Sequence, residues 1–293
     1  LFPLAVVRGI QLSIGLMLFR KGMELTFSGP TFITGASRSV GQFSMGVLLA
    51  GLALAIFLLF QFVFFRQSRR FPPSLALLSF GLVAGAVFSP IYGLGQLRPA
   101  FPEIALPGAG DFWLALTLLV IPQLPLTLGN AVVGTWDTAR TYFKDQACRV
   151  TPRGLTTSMG LANIAAGLLG AMPMCHGSGG LTEHYKMGAR TGGANIMIGG
   201  LLLVFGLLFG SEALPMLSLI PLSVLGVLLA VVGIYHVLLI RGLTARRQLA
   251  VAGTVAVVTV VLGNLAFGFG AGMLLHHLLK YPGKKPASLS QPL

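Results

Sequence analysis

Between Ala171 and Gly193 the chain places Pro173, Cys175, His176, Ser178, Thr182, Glu183, His184, Lys186 and Arg190 between two long apolar stretches. Broken backbone with polar side chains is tolerated at membrane depth only where it is buried in protein or lines a cavity. The segment therefore reads as a site. Pro173 favours an extended Met172, and Gly177, Gly179 and Gly180 allow a sharp turn and close approach to a ligand. From Ser178 the pattern runs as a helix to Arg190. The free N–H groups and positive dipole end of that helix, beside His176, form an arrangement that receives an anion. A second polar group lies upstream. With a helix resuming near Pro122, Gln123, Thr127 and Asn130 recur at i, i+4 and i+7 and share one face. They read as the lining of a polar cavity or as hydrogen-bonding glue between helices, and the adjacent Pro122 and Pro125 favour a site.

Other chemistries fit these residues less well. Cys175 and His176 invite a nucleophilic pair, but adjacent residues rarely place a base in line with the neighbouring sulfur, and no further His and acid complete a triad. No catalytic residue is expected. His176, His184 and Cys175 match no standard zinc spacing, so neither a metal nor a cofactor is expected. Ionisable groups inside a membrane are functional by default, which makes His176, Glu183 and His184 candidates for proton or ion coupling. For His176 the alternative is a buried histidine that satisfies a backbone carbonyl, and oxyanion or proton handling is the favoured reading. Glu183 with Lys186 and Arg190 reads equally as an internal ion-pair array. His236, alone in an apolar helix, reads as a satisfied core histidine, Asp137 with Arg140 as a local ion pair, and His276-His277 as interfacial.

The elements that must carry these groups are membrane helices. Of 293 residues 55% are hydrophobic and 9% charged, and the mean hydropathy is +0.86. No ordinary soluble domain has this composition. Apolar runs approaching 18 to 20 residues make the chain an all-α polytopic membrane protein. The expected spans are 4–19, 43–65, 74–89, 112–133 (broken at Pro122 and Pro125), 155–172, 194–210 and 222–240. Residues 248–279, too long for one span, divide into two shorter helices near Gly263-Asn264. With the central segment counted as a crossing or half-crossing, there are about ten helices. Residues 22–39 read as a loop or surface-lying segment.

A formal charge of +13 does not point to nucleic acid. The basic residues lie in short loops and form no aromatic-interleaved patch. The loops at Arg66–Arg70, Arg140–Arg153, Arg241–Arg247 and Lys280–Lys285 fall on one side, which predicts a cytoplasmic C-terminus. Residues 1–279 form one transmembrane domain, and 280–293 a polar, Pro-rich cytoplasmic tail. Cys148 and Cys175, the only cysteines, do not suggest a disulfide.

Two stretches, Ile121-Pro-Gln-Leu-Pro-Leu-Thr-Leu-Gly-Asn-Ala-Val-Val133 and Pro173-Met-Cys-His-Gly-Ser-Gly-Gly-Leu181, the second continued by His184-Tyr185 and Gly188-Ala-Arg-Thr191, resemble the signature stretches of the molybdate transporter family. These are distant relatives of the sulfate and nucleobase permeases. Val7-Arg-Gly-Ile-Gln-Leu12 resembles the same family. The resemblance implies a seven-plus-seven inverted-repeat fold in which two half-helices point their N-termini at each other near mid-membrane, with the substrate between them. The helix starting at Ser178 would be the half-helix of the second repeat and the broken fourth span its companion. The chain would match the family from roughly its fifth helix onward. The first-half motifs, a Gly-Asp-Leu-Gly and a Pro-Met-x-Val-Gln-Pro-Met-Lys half-helix, do not occur in this sequence, so an N-terminal part of the family fold is expected to be missing.

The expected function is membrane transport of a tetrahedral oxyanion, molybdate or sulfate, by an integral protein of the cell (inner) membrane. Such an anion needs N–H and O–H donors and partial positive charge. Gln123, Thr127, Asn130, Cys175, His176, Gly177, Ser178, Gly179 and Gly180 supply this inventory. The partners are the oxyanion and the lipid bilayer, with a homo-oligomer as an open alternative. A nucleobase permease of the same fold would be expected to use carboxylates. None occurs from Pro122 to Trp136 or from Pro173 to Thr182. A membrane-embedded Cys/His enzyme is the third reading.

Overall fold

The structure is a computed structural model that describes residues 3–28, 39–40, 43–64, 73–88, 97–101, 104, 108–120, 123–124, 127–213 and 219–279. The basic loop at Arg66–Arg70, Pro122, Pro125 and the tail 280–293 lie outside the described residues.

Helix α1 spans Leu4–Phe27, about 36 Å at the usual rise per residue. It continues past Phe19, where the apolar run ends, into the stretch expected to be loop. Two features carry it on. Lys21 and Glu24 pair at 2.9 Å on the exposed face, a spacing that supports a helix, while Gly22 stays buried. The partner of α1 is α9, Leu222–Val237. The two run antiparallel along a glycine seam. A Cβ on Gly22 would stand 2.5 Å from the Gly226 carbonyl oxygen, and one on Gly15 would stand 2.8 Å from that of Gly233. Residues without side chains let helix backbones approach this closely, which is how membrane helices gain packing energy without a hydrophobic driving force.

Helix α2, Met45–Leu59, continues as a wider π turn through Phe64, and α3 spans Pro73–Phe88. Two short strands before α2, β1 (Ser39–Val40) and β2 (Phe43–Ser44), pair antiparallel with Val40 opposite Phe43. Ala53 and Phe57 of α2 and Leu77 of α3 pack on Val224, Val227 and Val231 of α9. On the other side of α1, Val6 and Ile10 pack on Val251 and Val255 of α10 (Arg246–Leu262). Gly263, at φ 64°, and Asn264, whose side chain accepts from Ala266 N at 2.9 Å, separate α10 from α11 (Leu265–Leu278). The 248–279 stretch is thus two helices, as its length requires.

Among the described residues the fourth span is not one uniform α-helix. Helix α4 (Ala109–Ala115) widens into a π turn through Val120, Gln123–Leu124 are helical, and a second π segment covers Thr127–Gly134 before α5, Thr135–Phe143. A proline removes one backbone donor and clashes with the preceding turn, and π turns absorb such a mismatch, often at functional sites. Helix α6 (Pro152–Leu168) starts with Thr151 as N-cap, its side chain accepting from Gly154 N at 3.0 Å. Helix α7 is Ser178–Lys186, ending before Arg190 because Gly188 turns the chain at φ 101°. Helix α8 is Gly193–Phe209.

Among the described residues there are eleven α-helices, and Met45–Phe62 and Leu222–Gly242 are each long and apolar enough to cross a bilayer. Outward-facing apolar side chains such as Ile196 (77% exposed) and Val261 (75%) complete an apolar exterior. The chain is an all-α polytopic membrane protein.

The polar cluster at the start of helix α7

The extended stretch leading to α7 is held by side chains of α6. Asn163 Oδ1 accepts from Met174 N at 2.8 Å, and Asn163 Nδ2 donates to Met174 O at 2.7 Å. This pair replaces the two backbone bonds that a neighbouring strand would offer. His176 Nε2 lies 2.9 Å from Ser158 Oγ, and its carbonyl accepts from Thr135 Oγ1 at 3.2 Å. Thr135 also reaches the Asn130 carbonyl at 3.2 Å, spanning the π segment and the extended stretch. Cys175 is exposed and free.

At Gly177 the chain enters α7 with no side-chain cap, and the first helical bond runs from Leu181 N to Gly177 O at 3.1 Å. The N–H groups of Ser178, Gly179 and Gly180 have no acceptor within the helix. A Cβ on Gly180 would meet nothing within 4 Å, and one on Gly179 only Leu18 at 3.8 Å. Gly180 is exposed and Gly179 half-buried, so space lies beside these two positions. Ser178 itself is fully buried: its hydroxyl donates to Asn130 Oδ1 at 2.5 Å and lies 3.2 Å from His236 Nε2. Thr182, one turn on, donates to the Ser178 carbonyl at 2.8 Å, and its Oγ1 lies 3.1 Å from His236 Nδ1. His236, fully buried, thus has a hydroxyl at each ring nitrogen. It is a satisfied core histidine, as its apolar helix suggested, and its two partners belong to the candidate site.

Of the three upstream residues, Asn130 meets Ser178. Gln123 is exposed, and neither it nor Thr127 has a hydrogen bond to α7 among the described residues. The i, i+4, i+7 spacing assumes a 3.6-residue turn. The π segment Thr127–Gly134 does not keep that turn, so the three positions do not share one face by that spacing.

A second buried cluster ties α1 to α5. Arg8 Nη1 lies 3.2 Å from Asp137 Oδ2 and donates to Gln11 Oε1 at 3.1 Å, and Arg8 Nη2 donates to Thr141 at 3.2 Å. Gln11 Nε2 donates to Thr138 Oγ1 at 3.0 Å and to the Gly134 carbonyl at 3.3 Å. The expected Asp137–Arg140 pair does not form, because Asp137 faces α1 while Arg140 stacks on Trp136 at 4.9 Å. The Glu183–Lys186–Arg190 array is also replaced. Lys186 lies over the rings of Tyr142 and Tyr235 and Arg190 over Tyr185, so these cations are held by aromatic faces. Among the described residues no three His, Cys, Asp or Glu side chains converge as a metal site.

Sequence reading missed Thr135, Ser158 and Asn163 as supports of the broken segment and His236 as a neighbour of Ser178. It also missed the Arg8–Asp137 pair, although an arginine in an apolar helix is itself a signal.

Residues 115–235 match the family described as molybdate transporter of the MFS superfamily. Molybdate transporter 1 of Chlamydomonas reinhardtii is 36% identical over 211 residues, covering 70% of this chain and 40% of that protein. Molybdate transporter 2 of Arabidopsis thaliana is 29% identical, covering 96% and 66%. The chain thus spans between 40% and 66% of the length of these two relatives. The transmembrane domain of the cyanobacterial bicarbonate transporter BicA aligns over 93% of this chain and 70% of its own length, with a TM-score of 0.50 and 20% identity, a likeness of fold. Both the broken span from Leu116 and the α7 cluster up to Tyr235 fall inside the matched residues, and over this region the chain is similar to the molybdate transporter family.

Proposed function

We propose that the chain carries a tetrahedral oxyanion, molybdate in preference to sulfate, across the cell (inner) membrane, with its C-terminus cytoplasmic. The supporting observation is the open start of α7, where three helix N–H groups stand beside the Ser178–Asn130 pair. A dianion there meets helix N–H groups, the amide of Asn130 and the positive end of a helix dipole, and among the described residues the cluster holds no carboxylate. Gly177, Ser178, Gly179 and Gly180 supply the cradle and Asn130 the contact from the broken span. Cys175 and His176 precede the cradle in the chain, and Gln123 and Thr127 belong to the same span as Asn130. Both relatives named above are molybdate transporters, which favours molybdate. Movement of one helix group against the other about this site would give alternating access. No covalent step is needed.

The test is molybdate binding by calorimetry to the purified, detergent-solubilised chain and its Asn130→Ala and Ser178→Ala variants. Asn130→Ala is expected to weaken binding about tenfold or more, the cost of one hydrogen bond to a charged group, and Ser178→Ala to weaken it by releasing the Asn130 amide that its hydroxyl holds. Unchanged affinity in both would remove the site from the start of α7.

A further inference from the structure

Gln11 is fully buried, and its amide can point only one way. The guanidinium of Arg8 has no acceptor to offer, so the oxygen of Gln11 faces Arg8 Nη1, at 3.1 Å. The amide nitrogen then faces α5 and the end of the π segment. It donates to the Gly134 carbonyl at 3.3 Å and to Thr138 Oγ1 at 3.0 Å, with Asp137 Oδ2 at 3.4 Å. Gly134 closes the π segment that carries Asn130. A Cβ on Gly134 would stand 3.0 Å from the Gly129 carbonyl oxygen and 3.6 Å from both Asn130 Oδ1 and Ser178 Oγ. Gln11 thus grips the backbone that lies directly against the Asn130–Ser178 pair. The next residue, Thr135, ties the same backbone to the Asn130 and His176 carbonyls.

This link runs between two helix groups. Helices α1, α2, α3, α9, α10 and α11 pack on one another through the glycine seam and two apolar cores. The π segment, α5, α6 and α7 pack on one another around the extended stretch. Gln11 belongs to the first group and Gly134 to the second. A glutamine between two helices can be simple glue. Glue is served equally by Thr138 and Asp137, whereas the Gly134 bond sets where the end of the π segment stands. Resting on the oxyanion reading of the cradle at α7, we propose that Gln11 is a positioning residue of that site. Its bond to the Gly134 carbonyl holds the π segment where Asn130 meets Ser178 and where Asn130 Nδ2 is left for the anion. The Arg8–Asp137 pair fixes Gln11 in turn. The donor geometry of the cradle is therefore tied to the place of α1, and withdrawal of α1 from α5 weakens anion binding.

Charge and donation can be separated here. Asp137→Asn leaves Arg8 buried without its carboxylate but keeps the Gln11 amide on Gly134. Removing one member of a buried ion pair is strongly destabilising, so this variant is expected to melt lowest. Gln11→Glu/Asp137→Asn returns a carboxylate to Arg8 from the neighbouring position and keeps the size of both side chains. Its stability is expected to recover, yet a carboxylate cannot donate, and the Gly134 carbonyl loses its bond. Gln11→Met removes the donor without adding charge. Thr138→Val removes a different partner of the same amide and leaves the Gly134 bond. A residue that served folding alone would make affinity follow stability. A positioning residue makes the two diverge.

The experiment measures melting temperature and calorimetric affinity for molybdate on the purified, detergent-solubilised chain and these variants. Gln11→Met and Gln11→Glu/Asp137→Asn are expected to bind about fivefold or more weaker than wild type, the worth of one hydrogen bond. Asp137→Asn and Thr138→Val are expected to stay within about twofold, although Asp137→Asn is the least stable. If Asp137→Asn or the double variant fails to fold, Gln11→Met against Thr138→Val decides. Wild-type affinity in a folded Gln11→Met or double variant, or equal losses in Gln11→Met and Thr138→Val, overturns the role of Gln11 while Asn130→Ala still reports on the site. No binding by wild type, or binding unaffected by Asn130→Ala and Ser178→Ala, overturns this proposal together with the site reading.

Discussion

Near the beginning of α1, Arg8 and Asp137 face each other at 3.2 Å with Gln11, Thr138 and Thr141 around them, whereas at the start of α7 Asn130, Ser178, Thr182 and His236 meet without a carboxylate or a guanidinium. Both clusters are buried, and both join the α1–α9 pair to the helices around the broken segment. They differ in what is left over. In the first, formal charge meets opposite charge and the amide and hydroxyl groups around it are bonded, leaving the buried Arg8 Nε as the one guanidinium nitrogen without a partner among the described residues. In the second, the first N–H groups of α7 have no acceptor within the helix and Asn130 Nδ2 has no partner among the described residues. A closed set of donors and acceptors fixes two helices against each other. An open set of donors is what a bound anion completes.

The contrast can be broken from either side, and the largest effect is expected outside both clusters. Gly226→Leu would drive a side chain into the Gly22 carbonyl and the Thr26 hydroxyl, each 2.6 Å from the position of a Cβ. Loss of monodisperse protein on size exclusion is expected, since the seam positions α9 and with it His236. Next, Arg8→Ala leaves Asp137 buried without its partner, and removing one member of a buried ion pair typically costs about 3–5 kcal/mol. A lowered melting temperature is expected, largely restored in Arg8→Met/Asp137→Leu, where both charges are gone. A double variant as unstable as the single one would show that Arg8 contributes more than neutralisation of Asp137. The smallest effect is expected for Cys175→Ser. Cys175 is exposed and bonded to nothing, so molybdate affinity should stay within about twofold of wild type, well under the worth of one hydrogen bond. A large loss would revive the Cys/His reading of this segment.

Much of the helical order was legible because it depends on run length and local punctuation. Met45–Leu59, Pro73–Phe88, Gly193–Phe209 and the division at Gly263-Asn264 follow from apolar stretches and from glycine and asparagine at their ends. The start of α7 at Ser178 followed from the glycines and the polar run after it. The end of α1 was misplaced because hydropathy falls at Arg20-Lys21 while the helix is carried onward by Gly22 against α9. Asp137–Arg140 and Glu183–Lys186–Arg190 were misread for a shared reason. Spacing along one helix shows which residues could meet on that helix, but Arg8, Trp136 and the tyrosines offered better partners.

The sequence by itself determined that this chain lives in a bilayer, where its helices break, and that donors cluster without carboxylates at both breaks. Those properties are local, set by composition and by the backbone limits of proline and glycine. Which donors face one another was decided only by tertiary structure. Asn130 reaches Ser178 because a π segment and a packed α7 bring them together. His236 joins them because the glycine seam places α9 against α1, and contacts across 48 and 58 residues leave no periodic trace in the chain.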